Sequence, residues 1–269
     1  MDILQVVLLG LTQGITEWVP ISSKTQVTAV YQLLNGPGSI IPLPILLYVH
    51  MGTVLAALVY FRKEIIQIIE KFLQKPTDFK VHSRGELGFL FTSLLLTGVV
   101  GLPLLFLEKE FFPKLDVSLL FTIMGAGLIF TGMLLLMQKG LKERKIRSVN
   151  WSDGVLTGIL QGLSILPGVS RAGTSTTALI WRGFDSESSF HLSFLLSIPT
   201  VILAEFVLYM GGELASFPVS DGILLAIFSF IFGYLTLGII LRIVKKVNMA
   251  YVALALGLII TAAGLRGLG

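Results

Sequence analysis

The chain has no cysteine among its 269 residues. That excludes a disulfide framework, a thiolate zinc site and a cysteine nucleophile. Charge is scarce as well. Asp, Glu, Lys and Arg together make up 13% of the residues, against about 25% in a soluble domain. So little polar surface cannot cover a core of this size in water. The N-terminus lacks a basic n-region, and its apolar stretch carries Gly, Gln and Glu, so no cleavable signal peptide is expected. What the chain does have is hydrocarbon. Hydrophobic residues reach 54% and the mean hydropathy is +0.86, in long runs that recur. The pattern predicts an all-α polytopic membrane protein with many spans. The net charge of +4 comes from basic residues in short loops between the runs, which sets topology and does not point to nucleic acid.

Six runs read as complete spans, at 43–61, 86–107, 117–137, 190–209, 222–241 and 249–265. Two further segments, 1–34 and 151–181, are apolar but broken by Gly, Pro, Ser and Thr. Each reads as a re-entrant pair of short helices, tolerated at membrane depth only where protein or a watery cavity covers it. Loops 62–85, 138–150 and 242–247 hold six, five and three Lys or Arg; 108–116 holds two, and 35–42 and 210–221 hold none. By the positive-inside rule the first group is cytoplasmic, with the N-terminus outside a plasma membrane. The stretch Glu64 to Leu73 is amphipathic and is expected on the inner surface. Gly125, Gly127 and Gly132 are expected to permit close helix packing.

The two ends of the chain echo each other. Gln13-Gly14-Ile15-Thr16 recurs as Gln161-Gly162-Leu163-Ser164, and Pro20-Ile21-Ser22-Ser23-Lys24 aligns, with one gap, to Pro167-Gly168-Val169-Ser170-Arg171. Halves 1–150 and 151–269 are then each one re-entrant pair and three spans. Three is odd, so the second half is inverted, as in transporters whose broken helices meet near the midplane and form a site.

Lys24 and Arg171 are the two basic residues without a loop to occupy, and they are equivalent in the repeat. Among the acids, only Glu17 and Glu205 fall within apolar segments. Intramembrane charges line cavities, pair, or serve function. Two cations and a carboxylate on facing broken segments describe an anion site. Arg suits phosphate because its fork donates two parallel hydrogen bonds, and broken helix ends add N–H donors. The stretch from Ser170 through Gly173 and Thr174 to Thr177 adds hydroxyls and a glycine that admits close approach.

Plainer readings stand beside these. Glu17 and Arg171 either build a site or form a buried ion pair that locks the halves. Lys24 either binds the anion or snorkels to the outer interface. Ser22 and Ser23 either serve the site or satisfy backbone at a helix break. His50, mid-span, is either a site residue or a hydrogen-bonded bundle residue. Glu205, near the outer end of its span, is expected at the interface. His82, in a basic loop, and His191, at the start of a span, are expected to be solvated or interfacial.

At these residues the sequence resembles the undecaprenyl-diphosphate phosphatases, also called bacitracin-resistance phosphatases. One signature reads Gln13-Gly-Ile-Thr-Glu17-Trp-Val-Pro20-Ile-Ser22-Ser23, the other Pro167-Gly168-Val169-Ser170-Arg171-Ala-Gly173-Thr174. Glu187-Ser-Ser-Phe190 and Phe194-Leu-Leu-Ser197-Ile-Pro199 are similar too, so the resemblance covers essentially the whole chain. It implies a hydrolase of the phosphoanhydride bond that turns a polyprenyl diphosphate into its monophosphate and phosphate, recycling a glycan carrier lipid. It implies an outward-facing site, a divalent cation, Mg2+ or Ca2+, and often a homodimer. Arg171 would bind the diphosphate. Glu17 would be the metal ligand or general base. Ser23 would be the nucleophile or a phosphate donor, with Ser22, Ser170 and Thr174 in support. There are departures: Gln13 and Gln26 stand where the bacterial type often has Glu and His, Lys24 where it has a small residue, and His50 where Gln is expected; these four and Gly173 are expected among the substrate-binding residues. We read His50 as a compensating exchange that reaches the site from the next span. The competing function is a transporter or flippase of a polyprenyl phosphate or another anion, which an inverted repeat also suits.

Overall fold

The computed structural model describes residues 1–36, 38–74, 78, 83–138, 143–212, 217–243 and 247–267. His82 and parts of the three basic loops lie outside the described residues. The first broken segment forms α1 (Ile3–Thr16) and α2 (Ser23–Asn35). After it come α3 (Leu43–Tyr60), α4 (Arg62–Gln74), α5 (Glu86–Phe111) and α6 (Val117–Leu136). The second broken segment forms α7 (Trp151–Gly162) and α8 (Arg171–Trp181), followed by α9 (Ser186–Met210), α10 (Val219–Ile243) and α11 (Met249–Leu265).

Among the described residues five helices, α3, α5, α6, α9 and α10, are long and apolar enough to cross a membrane. The chain is a multi-pass membrane protein. The sixth expected span corresponds to α11, which has 17 residues. Its bounds are those of the apolar run, at the short end of the roughly 17–25-residue range of spanning helices. Helices α5, α9 and α10 run past their apolar stretches because polar ends carry the helix on. α9, for example, starts at Ser186 behind Asp185, whose side chain accepts the Ser188 N–H, an N-cap. Helix α4 buries none of its residues, and exposed Ile66, Ile69 and Leu73 give it the apolar stripe of a surface helix.

The tightest helix pairing is α6 with α11, and α5 packs on α7 as α10 packs on α1 and α3. Close approach in the first pair rests on small residues: a Cβ on Gly125 or Gly132 would run into Thr261 or Leu254 of α11. At one end of the bundle Asp153 is fully buried. Arg144 and Arg182 each hold it at 2.8 Å, and Arg144 also stacks on Phe184 at 4.1 Å. This clamp joins the start of α7 to the end of α8 and leaves no buried charge uncompensated.

The two helix breaks, 17–22 and 163–170, are seated differently. Trp18, 1% exposed, anchors the first: its Nε1 donates to the Gly233 carbonyl of α10 at 3.1 Å, and its ring lies 5.4 Å from that of Phe194 in α9. Ser22 turns the chain with φ 58°. The second break rests on α6, where the Thr131 hydroxyl accepts the Ser170 N–H at 3.0 Å. Gly168 has φ +84°, and a Cβ there would stand 1.8 Å from the Met124 carbonyl oxygen. Only glycine meets both conditions.

Candidate active site

Both breaks deliver side chains to one cavity of about 220 Å³. Glu17 closes α1, and its carboxylate is the hub. One oxygen, Oε1, accepts from Arg171 Nη2 at 2.8 Å. The other, Oε2, accepts from Ser23 Oγ at 2.7 Å and from Gln13 Nε2 at 2.8 Å. Arg171, the first residue of α8, also donates from Nη1 to the Ser193 carbonyl at 3.2 Å. Its guanidinium is thereby held against α9, and Arg171 lines the cavity. The remaining hydrogen bonds of Glu17, from Ser23 and Gln13, offset part of the cost of burying the pair.

His50 reaches the same carboxylate from α3. Its Nε2 is 3.5 Å from Glu17 Oε2, and its Nδ1 lies 2.7 Å from the Leu46 carbonyl oxygen. A carbonyl accepts only, so Nδ1 carries the proton and Nε2 faces the site. Lys24, one residue beyond Ser23, lines the cavity and pairs with Glu108 of α5. Ser22 and Ser170 also line it. Ser22 Oγ shares a hydrogen with Thr25 Oγ1 at 3.0 Å, and Ser170 Oγ caps α8 through the Gly173 N–H.

Four expected site residues stand apart from the cavity wall. Gln13 is fully buried behind Glu17 and orients it. Gln26 donates its amide to the Ile21 carbonyl at 3.0 Å, which secures the first break. Gly173 packs under Pro20 and Thr131. Thr174 is fully buried and donates its hydroxyl to the Arg171 carbonyl at 3.1 Å. These side chains build the frame around the hub.

Two acids are on the wall where the sequence placed neither. Glu108 was counted with an outer loop, and Glu205 was expected at the interface; both line the cavity. Glu205 Oε1 is buried and, among the described residues, has no hydrogen-bond partner. The wall therefore carries Arg171 matched by Glu17, Lys24 matched by Glu108, and Glu205 unmatched. The residues could not form a metal cage alone: among the described residues no three His, Asp or Glu side chains stand close enough to hold an ion.

A carboxylate-bound hydroxyl, a guanidinium and a lysine on one cavity among apolar helices have the chemistry that recognises a phosphorylated ligand. The chain matches the family of the bacitracin resistance protein BacA over residues 6–260, and it belongs to that family. A relative from Haloarcula marismortui named undecaprenyl-diphosphatase is 34% identical over 91% of each chain. Relatives of the same name from Methanococcoides burtonii and Sulfurisphaera tokodaii are 33% and 32% identical; they cover 95% and 96% of this chain and 96% and 95% of their own.

Proposed function

We propose that the protein hydrolyses a polyprenyl diphosphate of the undecaprenyl type to the monophosphate and inorganic phosphate. The observation that carries this reading is the Glu17 carboxylate, which holds Ser23 Oγ on one oxygen and Arg171 on the other. Phosphoryl transfer asks mostly for positioning and charge neutralisation. An incoming diphosphate competes with Glu17 for Arg171. As the guanidinium turns to phosphate, Glu17 loses its counter-charge and becomes a stronger base, so substrate binding itself prepares the nucleophile. Glu17 takes the Ser23 proton, Ser23 Oγ bonds to the terminal phosphorus, and the bond from that phosphorus to the bridging oxygen breaks. The lipid monophosphate leaves with that oxygen and the proton. Water then attacks the phosphoserine, giving a proton to Glu17, which passes it to the departing Ser23 oxygen.

A divalent cation, Mg2+ or Ca2+, belongs in this reading. Glu205 is a carboxyl group on the wall whose Oε1 has no partner among the described residues, and a diphosphate brings negative charge of its own. The residues present fit a cation that arrives with the substrate, since hard cations take most of their ligands from phosphate oxygens and water. Glu17 and Glu205 are the carboxylates available to it. The ion would neutralise charge developing on the transferred phosphoryl group.

The architecture we propose is the inverted repeat, with halves 1–150 and 151–269 and two re-entrant pairs meeting at the site. Matched details support it. Gln13 and Gln161 are both fully buried, each with its Oε1 unpartnered among the described residues, and their amides reach Thr53 of α3 and Thr200 of α9. A Cβ on Gly14 would meet α10, and one on Gly162 would meet α5. Lys and Arg placement supports an outward-facing site and N-terminus in a plasma membrane. The relatives' names do not favour the transporter. Phosphate release from a long-chain polyprenyl diphosphate by detergent-purified protein tests the reading, beside transfer of a labelled polyprenyl phosphate between leaflets of proteoliposomes. Release abolished by Glu17→Gln is the expected result. Leaflet transfer without release would overturn the enzyme.

A further inference from the structure

The cavity that holds Glu17 and Arg171 has a neighbour. A second cavity of about 300 Å³ shares a wall with it, and both are lined by Lys24, Leu43, Leu46, Leu105, Glu108 and Leu208. Beyond that wall the chemistry changes. Ile41, Phe112, Val117, Leu120 and Met124 are among the apolar residues of the rest of its lining, which also includes Ser39 and Lys109. The polar side chains of α2 that reach it are spent on the protein: Thr28 donates to the Lys24 carbonyl and Gln32 to the Ser39 carbonyl. The result is a chamber that carries Glu17, Arg171 and Glu205 on its wall beside a mostly hydrocarbon chamber, with the Lys24–Glu108 ion pair at the seam.

We infer that the hydrocarbon chamber receives the first isoprene units of the substrate's tail, so that the Lys24–Glu108 seam lies where the phosphate joins the chain. A compact polyanion bonded directly to a hydrocarbon is the one ligand shape that fills both chambers across a shared wall. The inference rests on the proposed function and extends it to chain recognition. The chamber acts by shape and not by hydrophobicity, because a prenyl tail leaving lipid for an apolar cavity exchanges one hydrocarbon for another. What the chamber supplies is direction. A tail fixed in it aims the diphosphate past Lys24 toward Arg171 and Ser23, and orientation of this kind is worth orders of magnitude in rate. Lys24, freed from Glu108, then faces the phosphate nearer the chain.

Two measurements on the full-length, detergent-purified protein test this. The first fills the chamber with Leu120→Trp. The account predicts that KM for a long-chain polyprenyl diphosphate rises at least tenfold, while the inhibition constant of methylenediphosphonate, a head group with no tail, moves less than twofold. Equal shifts in both, or no shift in either, would overturn the chamber. The second stands if that variant does not fold. A polyprenyl diphosphate with a photoreactive group on its second isoprene is irradiated on the wild-type protein and the labelled peptides are sequenced. Label within 105–124 or at 40–46 is expected; label confined to other helices would refute the assignment. Failure of the wild type to release phosphate from any chain length would defeat the proposed function instead, and the labelling would still decide whether a prenyl chain enters this chamber.

Discussion

The two helix breaks have similar sequences and different jobs. The first, 17–22, ends α1 on a carboxylate and starts α2 on a serine, and its polar groups point at each other: Ser23 and Gln13 both donate to Glu17. The second, 163–170, spends its polar groups on holding still, with the Ser170 N–H on Thr131 and Gly168 wedged under Met124. It offers the cavity one charged group, Arg171. Buried Gln13 and Gln161 keep the same posture in both. The difference shows how two similar breaks make one site. Each is followed by a cation, Lys24 or Arg171, but only the first carries an acid, Glu17, where the second has Ile165, and that acid pairs with Arg171.

The largest way to break that comparison is Arg171→Ala. It removes the one cation of the second break and leaves Glu17 buried without its partner. Phosphate release should fall about a thousandfold, the scale of losing an electrostatic stabiliser, and the apparent Tm should drop because a stranded buried charge costs about 3–5 kcal/mol. Gly168→Ala attacks the seating of the second break. A Cβ 1.8 Å from a carbonyl oxygen forces the break off α6, and a loss of about 3 kcal/mol or more is expected in thermal unfolding. The matching change in the first break goes the other way. Ser22→Gly relieves a left-handed serine that costs about 1–2 kcal/mol and gives up one hydroxyl contact, so the melting temperature should hold or rise slightly. Ser23→Ala removes the proposed nucleophile and should abolish phosphate release with little change in stability, which separates the hydroxyl's chemistry from its place at the helix start. Gln26→Ala is the smallest: a local hydrogen bond worth about 1 kcal/mol, with kcat within a few-fold of wild type.

Much of this was legible in the sequence. Long apolar runs marked the membrane helices, and Glu17, Ser23 and Arg171 stood out because intramembrane charge beside Pro and Ser has few innocent explanations. His50 was singled out for the same reason, and it does face Glu17. What remained hidden depends on helix rotation and long-range pairing. Glu108 and Glu205 lie near helix ends, where a linear reading sees an interface; the packing of α5 and α9 turns both to the cavity. Lys24 gave no sign of its partner, 84 residues away. Gln26 and Thr174 carry groups that serve backbone and ligand equally well, and the structure adds their contacts within the protein, on the Ile21 and Arg171 carbonyls. At α11 the expected run 249–265 and the helix Met249–Leu265 coincide.

The central claim is that Glu17 and Arg171 act as one unit on a lipid diphosphate. The direct measurement is a double-mutant cycle on phosphate release from a long-chain polyprenyl diphosphate, with wild type, Glu17→Gln, Arg171→Ala and the double variant. The account predicts that either single change costs nearly as much as both together, as residues acting as a unit do. Losses that multiply, or a Glu17→Gln variant that releases phosphate at the wild-type rate, would contradict it.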